Sequence, residues 1–164
     1  MLKIKKLELS DGIDFFKMLK KIKDNENEFT NPVYDMNYEQ YREWLKLMDD
    51  WSNGKSLKDG YVPQTIFWLL NDGIPVGVGK IRHYLTDSSK EFGGNIGYAI
   101  SKEYRGKGYG SIFLKLLVKE AKAMNINEII LTVEKYNPAS KRVIEKNAGY
   151  IINENSKRWI FKID

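Results

Sequence analysis

Tyr104-Arg105-Gly106-Lys107-Gly108-Tyr109-Gly110-Ser111 decides how this chain is read, because it lies between a strand-like segment, Ile96-Gly97-Tyr98-Ala99-Ile100, and a long amphipathic stretch. A strand that feeds a glycine turn into a helix start forms an anion cradle. Glycine lets the backbone take up positive φ and approach a ligand closely. The first amides of the helix lack intrahelical acceptors and carry the positive end of the dipole. A ligand with several phosphates fits such a place.

Spacing narrows the ligand. A dinucleotide fingerprint needs G-x-G-x-x-G, whereas glycine stands here at 106, 108 and 110 with Ser111 next. No G-x-x-x-x-G-K-S/T occurs. What remains is R-x-x-G-x-G, Arg105 through Gly110. In this the chain resembles the GNAT family of N-acetyltransferases, whose coenzyme A pyrophosphate loop reads Q/R-x-x-G-x-G/A. A second stretch, Asn137-Pro138-Ala139-Ser140-Lys141-Arg142-Val143-Ile144-Glu145-Lys146-Asn147-Ala148-Gly149-Tyr150, is similar to the family's N-x-x-A/S-x-x-L-Y-E-K-x-G-F. Thr65-Ile66-Phe67-Trp68, Arg82-His83-Tyr84-Leu85 and Gly93-Gly94-Asn95-Ile96-Gly97-Tyr98 resemble a branch of uncharacterised members, so that the likeness spans residues 60 to 155.

Outward from the cradle the pattern gives one element after another. Residues 2 to 8 alternate as a half-buried strand, and Ile13, Phe16 and Leu19 mark a helix reaching toward Lys23. After the polar break Asp24-Asn25-Glu26-Asn27, the positions Tyr38, Tyr41, Trp44, Leu45 and Met48 fall at helical spacing. Thr65 to Leu70 and Val76 to Ile81 flank a turn-rich connection and read as a hairpin. Gly93 to Ile100 is the next strand, a helix runs from about Gly108 to Met124, and Glu128 to Val133 reads as a buried strand. Parallel pairing is expected within that strand-helix-strand unit. Asn137-Pro138 opens a further helix as cap and first position, and Tyr150 to Ile152 and Trp159 to Ile163 finish the sheet. The expected fold is α+β (α/β mixed). It is a GNAT-like single domain over residues 1–164 with a central mixed, mostly antiparallel sheet flanked by helices, in the order β-α-α-β-β-β-α-β-α-β-β.

At 164 residues, with no cysteine and one histidine, the chain has room for one core burying roughly 70% of its unfolded surface. It has no disulfide, no thiolate zinc site and no cysteine nucleophile, and no metal is expected. The net charge of +5 is spread over the chain, which argues against nucleic acid. No stretch nears the ~20 apolar residues of a membrane helix, and the N-terminus lacks the apolar run of a signal peptide, so a cytoplasmic protein, monomer or homodimer, is expected.

The resemblance implies acetyl-CoA as co-substrate and direct attack of an amine, of a small molecule or a peptide, on its thioester. It assigns the amides of Arg105, Gly106, Lys107, Gly108, Tyr109, Gly110 and Ser111 to the pyrophosphate, with Arg105 and Lys107 matching its charge. Backbone near Ile100 and the side chain of Asn137 fall to the pantetheine arm. Ile144 stands where many relatives carry the tyrosine that protonates the departing thiolate, leaving Tyr136, Tyr150 or water as donors. An alkyl ammonium with a pKa near ~10 must lose a proton before it attacks. For the base the candidates are His83, Glu91 and Glu134, with His83 ranked first on its intrinsic pKa. Many members of the branch carry histidine where Asn95 stands here. Acidic and aromatic residues from Asp24 to Asp59, among them Glu28, Tyr41, Trp44 and Trp51, suit an amine cation or else form a solvated helix face over a core. Two other readings stay open: a coenzyme A-binding module without catalysis, and an acyltransferase with another acyl or acceptor group.

Overall fold

In β2 (Gln64–Asn71) residues 64 to 69 are buried without interruption, which a strand achieves only when both faces of its sheet are covered. Parity sorts them: Ile66 and Trp68 join one apolar cluster, Phe67 and Leu69 the other. The computed structural model describes residues 1–164 and shows what covers each face. β1 (Leu2–Lys6), β2, β3 (Ile74–Arg82) and β4 (Ile96–Ile100) form a four-stranded antiparallel sheet in that order. Against one face lie α1 (Ile13–Leu19) and α2 (Tyr38–Ser52), whose Tyr41, Trp44, Leu45, Met48 and Trp51 are buried at helical spacing. Asn37 starts α2 through a capping box with Gln40.

The other face carries α4 (Tyr109–Ala123) and a second antiparallel sheet of β5 (Ile129–Glu134), β7 (Arg158–Ile163) and β6 (Tyr150–Glu154). Phe113, Leu114 and Leu117 of α4 meet Leu131, Phe161 and Ile163 in this second cluster. α3 (Asp87–Glu91) joins β3 to β4, and α5 (Pro138–Lys146) joins β5 to β6. No helix is long and apolar enough to cross a membrane.

The seam between the sheets differs from expectation. β4 and β5 form no parallel ladder. They are stitched near the start of β4: the Asn95 amide donates to the Ile130 carbonyl at 2.7 Å, the Ile130 amide donates to Asn95 Oδ1 at 2.9 Å, and the Gly93 amide donates to Thr132 Oγ1 at 2.8 Å. A Cβ on Gly94, which has φ +62°, would stand 2.3 Å from the Ile130 carbonyl oxygen, so only glycine allows this approach. Gly93 and Gly94 both have positive φ, and β4 therefore begins at Ile96 rather than at residue 93. Past the stitch, Ser101 donates to Val76 and Lys135 to Lys157, away from the seam on either side. By the antiparallel alternation, Tyr98 and Ile100 on β4 and Thr132 on β5 then turn their backbone groups into an open gap.

α3 escapes the periodicity reading because it buries no residue, and Thr86 and Ser89 hold it by a capping box instead. The first helix ends at Leu19 rather than near Lys23, and the first strand at Lys6.

Candidate active site

The glycine loop has the geometry of an anion cradle. Gly106 and Gly108 have φ of +75° and +81°, and Gly108 is the left-handed residue before α4. The amides of Gly106 through Ser111 donate to no protein acceptor; the first to turn inward is Ile112, to Gly108. No side chain caps this helix. Six consecutive amides around the start of α4 thus have no protein acceptor. Gly110 is different, since a Cβ there would make ordinary contacts with Tyr98 and Val143.

From the cradle a groove of about 350 Å³ runs along the open edge of β4 and under α5, lined by Tyr98, Ala99, Ile100, Asn137, Ser140 and Lys146 among others. Arg105 donates through Nε to the Ile100 carbonyl at 2.8 Å and is ion-paired with Glu26. Lys107 holds its ammonium over the Tyr104 ring, 5.3 Å from the centroid, and does not line the groove. Lys146, at the end of α5, lines it instead, a cation that spacing did not single out. Ser111 is held by Asn147, whose Nδ2 donates to its carbonyl at 3.1 Å. Tyr109 accepts from Asn71 at 3.3 Å. Asn137 caps α5, its Oδ1 accepting from the Ser140 amide at 3.3 Å, and also borders the groove.

At Tyr98, Asn137 and Ser140 the groove meets a smaller cleft between β4 and β5, walled by Asn27, Glu28, Phe29, Phe92, Leu131 and Glu134. Glu134, the last residue of β5, has Oε2 buried without a hydrogen-bond partner. Burial and the neighbouring Glu28 carboxylate hold its carboxyl above the ordinary range, the Tyr136 hydroxyl offsetting part of this. Glu28 goes the other way. Burial pushes it up, but Arg158 outweighs that, Nε donating at 3.0 Å to both carboxylate oxygens, and the net shift is downward. Arg158 thus favours the ionised form of Glu28, while burial and the Glu28 carboxylate favour the protonated form of Glu134.

Glu28 was legible only as one acid among many. It reaches the cleft because the loop from α1 to α2 takes left-handed turns at Asn25, Asn27 and Glu28, with φ of 59°, 52° and 63°. Asparagine tolerates this conformation better than most residues, which is the one signal the sequence held.

Other expected groups lie elsewhere. His83 lines neither groove nor cleft; its Nε2 pairs with Thr65 Oγ1 at 2.7 Å, and burial, with Lys6, lowers its pKa. Glu91 ends α3 on the surface. Tyr136 is 75% exposed, and its hydroxyl is held up chiefly by its bond to Glu134. Tyr150 is exposed and bonds Asp164 at 3.1 Å. Asn95 is buried as the stitch between the sheets. Tyr41, Trp44 and Trp51, weighed for an amine cation, are core. Phe161 is core as well, and Trp159 packs against it.

The family described as Acetyltransferase (GNAT) domain matches residues 2–149. No curated protein matches the sequence. Among solved structures, a GNAT-family acetyltransferase from Streptococcus pneumoniae is similar with TM-score 0.66 at 16% identity, covering 99% of this chain and 98% of that one. The Campylobacter jejuni N-acetyltransferase PseH in complex with acetyl coenzyme A gives 0.61 at 16%, covering 100% and 99%. RimL, a ribosomal L7/L12 alpha-N-protein acetyltransferase in complex with coenzyme A, gives 0.73 at 16%, covering 99% and 93%. At such identity these likenesses speak for the fold, and the match over residues 2–149 speaks for the family. The chain belongs to the GNAT acetyltransferase family.

Proposed function

We propose that residues 1–164 form one acetyltransferase domain that moves an acetyl group from acetyl-CoA to an amine of a small molecule or peptide by direct attack on the thioester. The observation that carries this is the continuity of three features. Six unpaired amides at the start of α4 open onto a groove, the groove follows the free edge of β4, and the edge ends at a cleft holding a carboxyl disposed to take a proton. Several solved relatives of this fold carry coenzyme A or acetyl coenzyme A, which supports the same ligand here.

Acetyl-CoA, when bound, supplies the activated acyl group as a thioester. The residues do the rest. Amides 106 to 111 and the helix dipole hold the pyrophosphate, with Lys146 adding positive charge beside them. The free N–H groups of Tyr98 and Ile100 pair with the pantetheine arm and polarise the thioester carbonyl. Asn137 borders the same path. Glu134 takes the proton from the incoming ammonium in the cleft, and Glu28, fixed by Arg158, keeps the cleft anionic and attractive to a cation. Fixing both reactants along one track lowers the entropic part of the barrier.

Thermal unfolding with acetyl-CoA tests the reading, with NAD and ATP as controls. A ligand at a hundred times its Kd stabilises by ~2.7 kcal/mol. A rise selective for acetyl-CoA and lost in Gly108→Asp is expected, followed by thiol release on adding amines. No shift at saturating acetyl-CoA would sink the proposal. A shift without thiol release from any amine would leave a coenzyme A-binding module.

A further inference from the structure

Thioester cleavage also needs a proton delivered to the departing sulfur, and α5 offers no tyrosine for it. Ile144, which faces the cleft from that helix, is hydrocarbon and 1% exposed. Tyr136 and Tyr150, the alternatives nearest in sequence, line neither groove nor cleft, and Tyr150 bonds Asp164. Tyr98 stands differently. It is the tyrosine that borders both the groove and the cleft, at the point where the two spaces join. Its ring is wedged edge-on against Phe113, at 6.4 Å between centroids, and a Cβ on Gly110 would come within 3.6 Å of it. A ring pinned by α4 in this way has little rotational freedom left to lose. Ser140, in the first turn of α5, borders both spaces with Tyr98.

Resting on the reading above, we infer that Tyr98 is the proton donor to the coenzyme A sulfur. As the amine nitrogen bonds to the acetyl carbon, the carbon–sulfur bond breaks and its electron pair goes to sulfur. The Tyr98 hydroxyl proton follows to give the free thiol. The ammonium sheds two protons on becoming an amide: the first goes to Glu134 before attack, and the second leaves nitrogen for solvent as the amide forms. Solvent returns one through the Ser140 hydroxyl to the phenolate, so that one proton is released overall. Atoms and charges balance without any further reactant. Burial raises the Tyr98 hydroxyl, the Ser140 hydroxyl offsetting it in part, so it stays protonated until it is used. A β4 tyrosine thereby supplies the donor, with Ser140 of α5 as its relay.

The test needs no knowledge of the acceptor. A hydroxyl that donates to the thiolate must favour the ionised sulfur in the bound product. Affinities for coenzyme A and desulfo-coenzyme A are measured by calorimetry from pH 6.5 to 9.5 in the full chain and in Tyr98→Phe, which keeps the ring packed on Phe113. Glu28, Glu134, Arg105 and Lys146 also border these spaces, and the desulfo compound cancels their titration. In the wild type, the preference for coenzyme A over its desulfo analogue should grow by about tenfold as the thiol ionises, the worth of one charge-assisted hydrogen bond. In Tyr98→Phe it should stay flat while both ligands still bind. The same pH dependence in both proteins, or none in the wild type with binding intact, overturns the role of Tyr98 and leaves the transferase standing. Failure of the wild type to bind coenzyme A at all overturns both.

Discussion

Glu134 and Gly108 show how single residues carry the chemistry. Glu134 must be ionised to accept a proton, and burial beside Glu28 raises its pKa. The acid limb of kcat should therefore lie above the ordinary carboxylate value of 4.5, and Glu134→Gln should lower kcat by about 10²- to 10⁴-fold, read by thiol release over pH. The sign for stability is opposite. A carboxyl raised by folding binds its proton more tightly in the folded state, so its charge costs stability as pH climbs from the unfolded value through the folded one. Glu134→Gln should thus raise Tm at pH 8 and leave it unchanged well below the ordinary value of 4.5, where both states are protonated. Gly108, at φ +81°, makes the complementary case. Gly108→Ala forces a side chain into the left-handed region at ~1–2 kcal/mol and should weaken acetyl-CoA binding. Gly110→Ala, with room for its Cβ, should fold and bind like the wild type. Equal losses at the two positions, in denaturant melts and calorimetry, would contradict this account.

Among the elements, the seam between β4 and β5 matters most. A parallel ladder there would have consumed the amides of Tyr98 and Ile100. Asn95 instead fastens the strands at one end, and the loss of neighbouring partners leaves both edges open beyond it. Asn95→Ala removes the bonds of its Oδ1 to Ile130 and of its Nδ2 to the Arg82 carbonyl, and leaves the half-buried Ile130 amide without that acceptor. A loss of about 1–3 kcal/mol in denaturant unfolding is expected, together with weaker acetyl-CoA binding although Asn95 lines neither groove nor cleft. Stability lost with binding untouched would show that the stitch does not set the groove. The strand-helix-strand pattern was plain in the sequence, but the splay was not. It depends on Gly94 approaching a carbonyl 36 residues away, a contact that no local period encodes.

Across the whole molecule, the proposed ligand would lie between two sheets that share few backbone bonds, and so would tie them together. Hydrogen exchange should report this. On adding acetyl-CoA, the amides of Tyr98, Ile100 and Gly106 to Ser111 should gain protection, while those of β1, paired already to β2 on the far edge, should not change. Uniform protection everywhere would mean global stabilisation without occupancy of the groove. The loop Asn25–Glu28 belongs to the same scale, since Glu26 meets Arg105 at the cradle and Glu28 meets Arg158 at the cleft. One loop thereby touches both ends of the site.

The sequence by itself determined the glycine turn that opens α4, the helix cap at Asn137, the order of elements apart from α3, and the family, because glycine conformation, capping and hydrophobic period are local properties that a few neighbouring residues fix. Tertiary structure alone decided which charges meet. His83, the best base by intrinsic pKa, fell behind Thr65, whereas Glu28, Glu134 and Arg158 came together from three distant segments. Burial and charge pairing set proton affinity, and both depend on which segments fold against one another rather than on spacing along the chain.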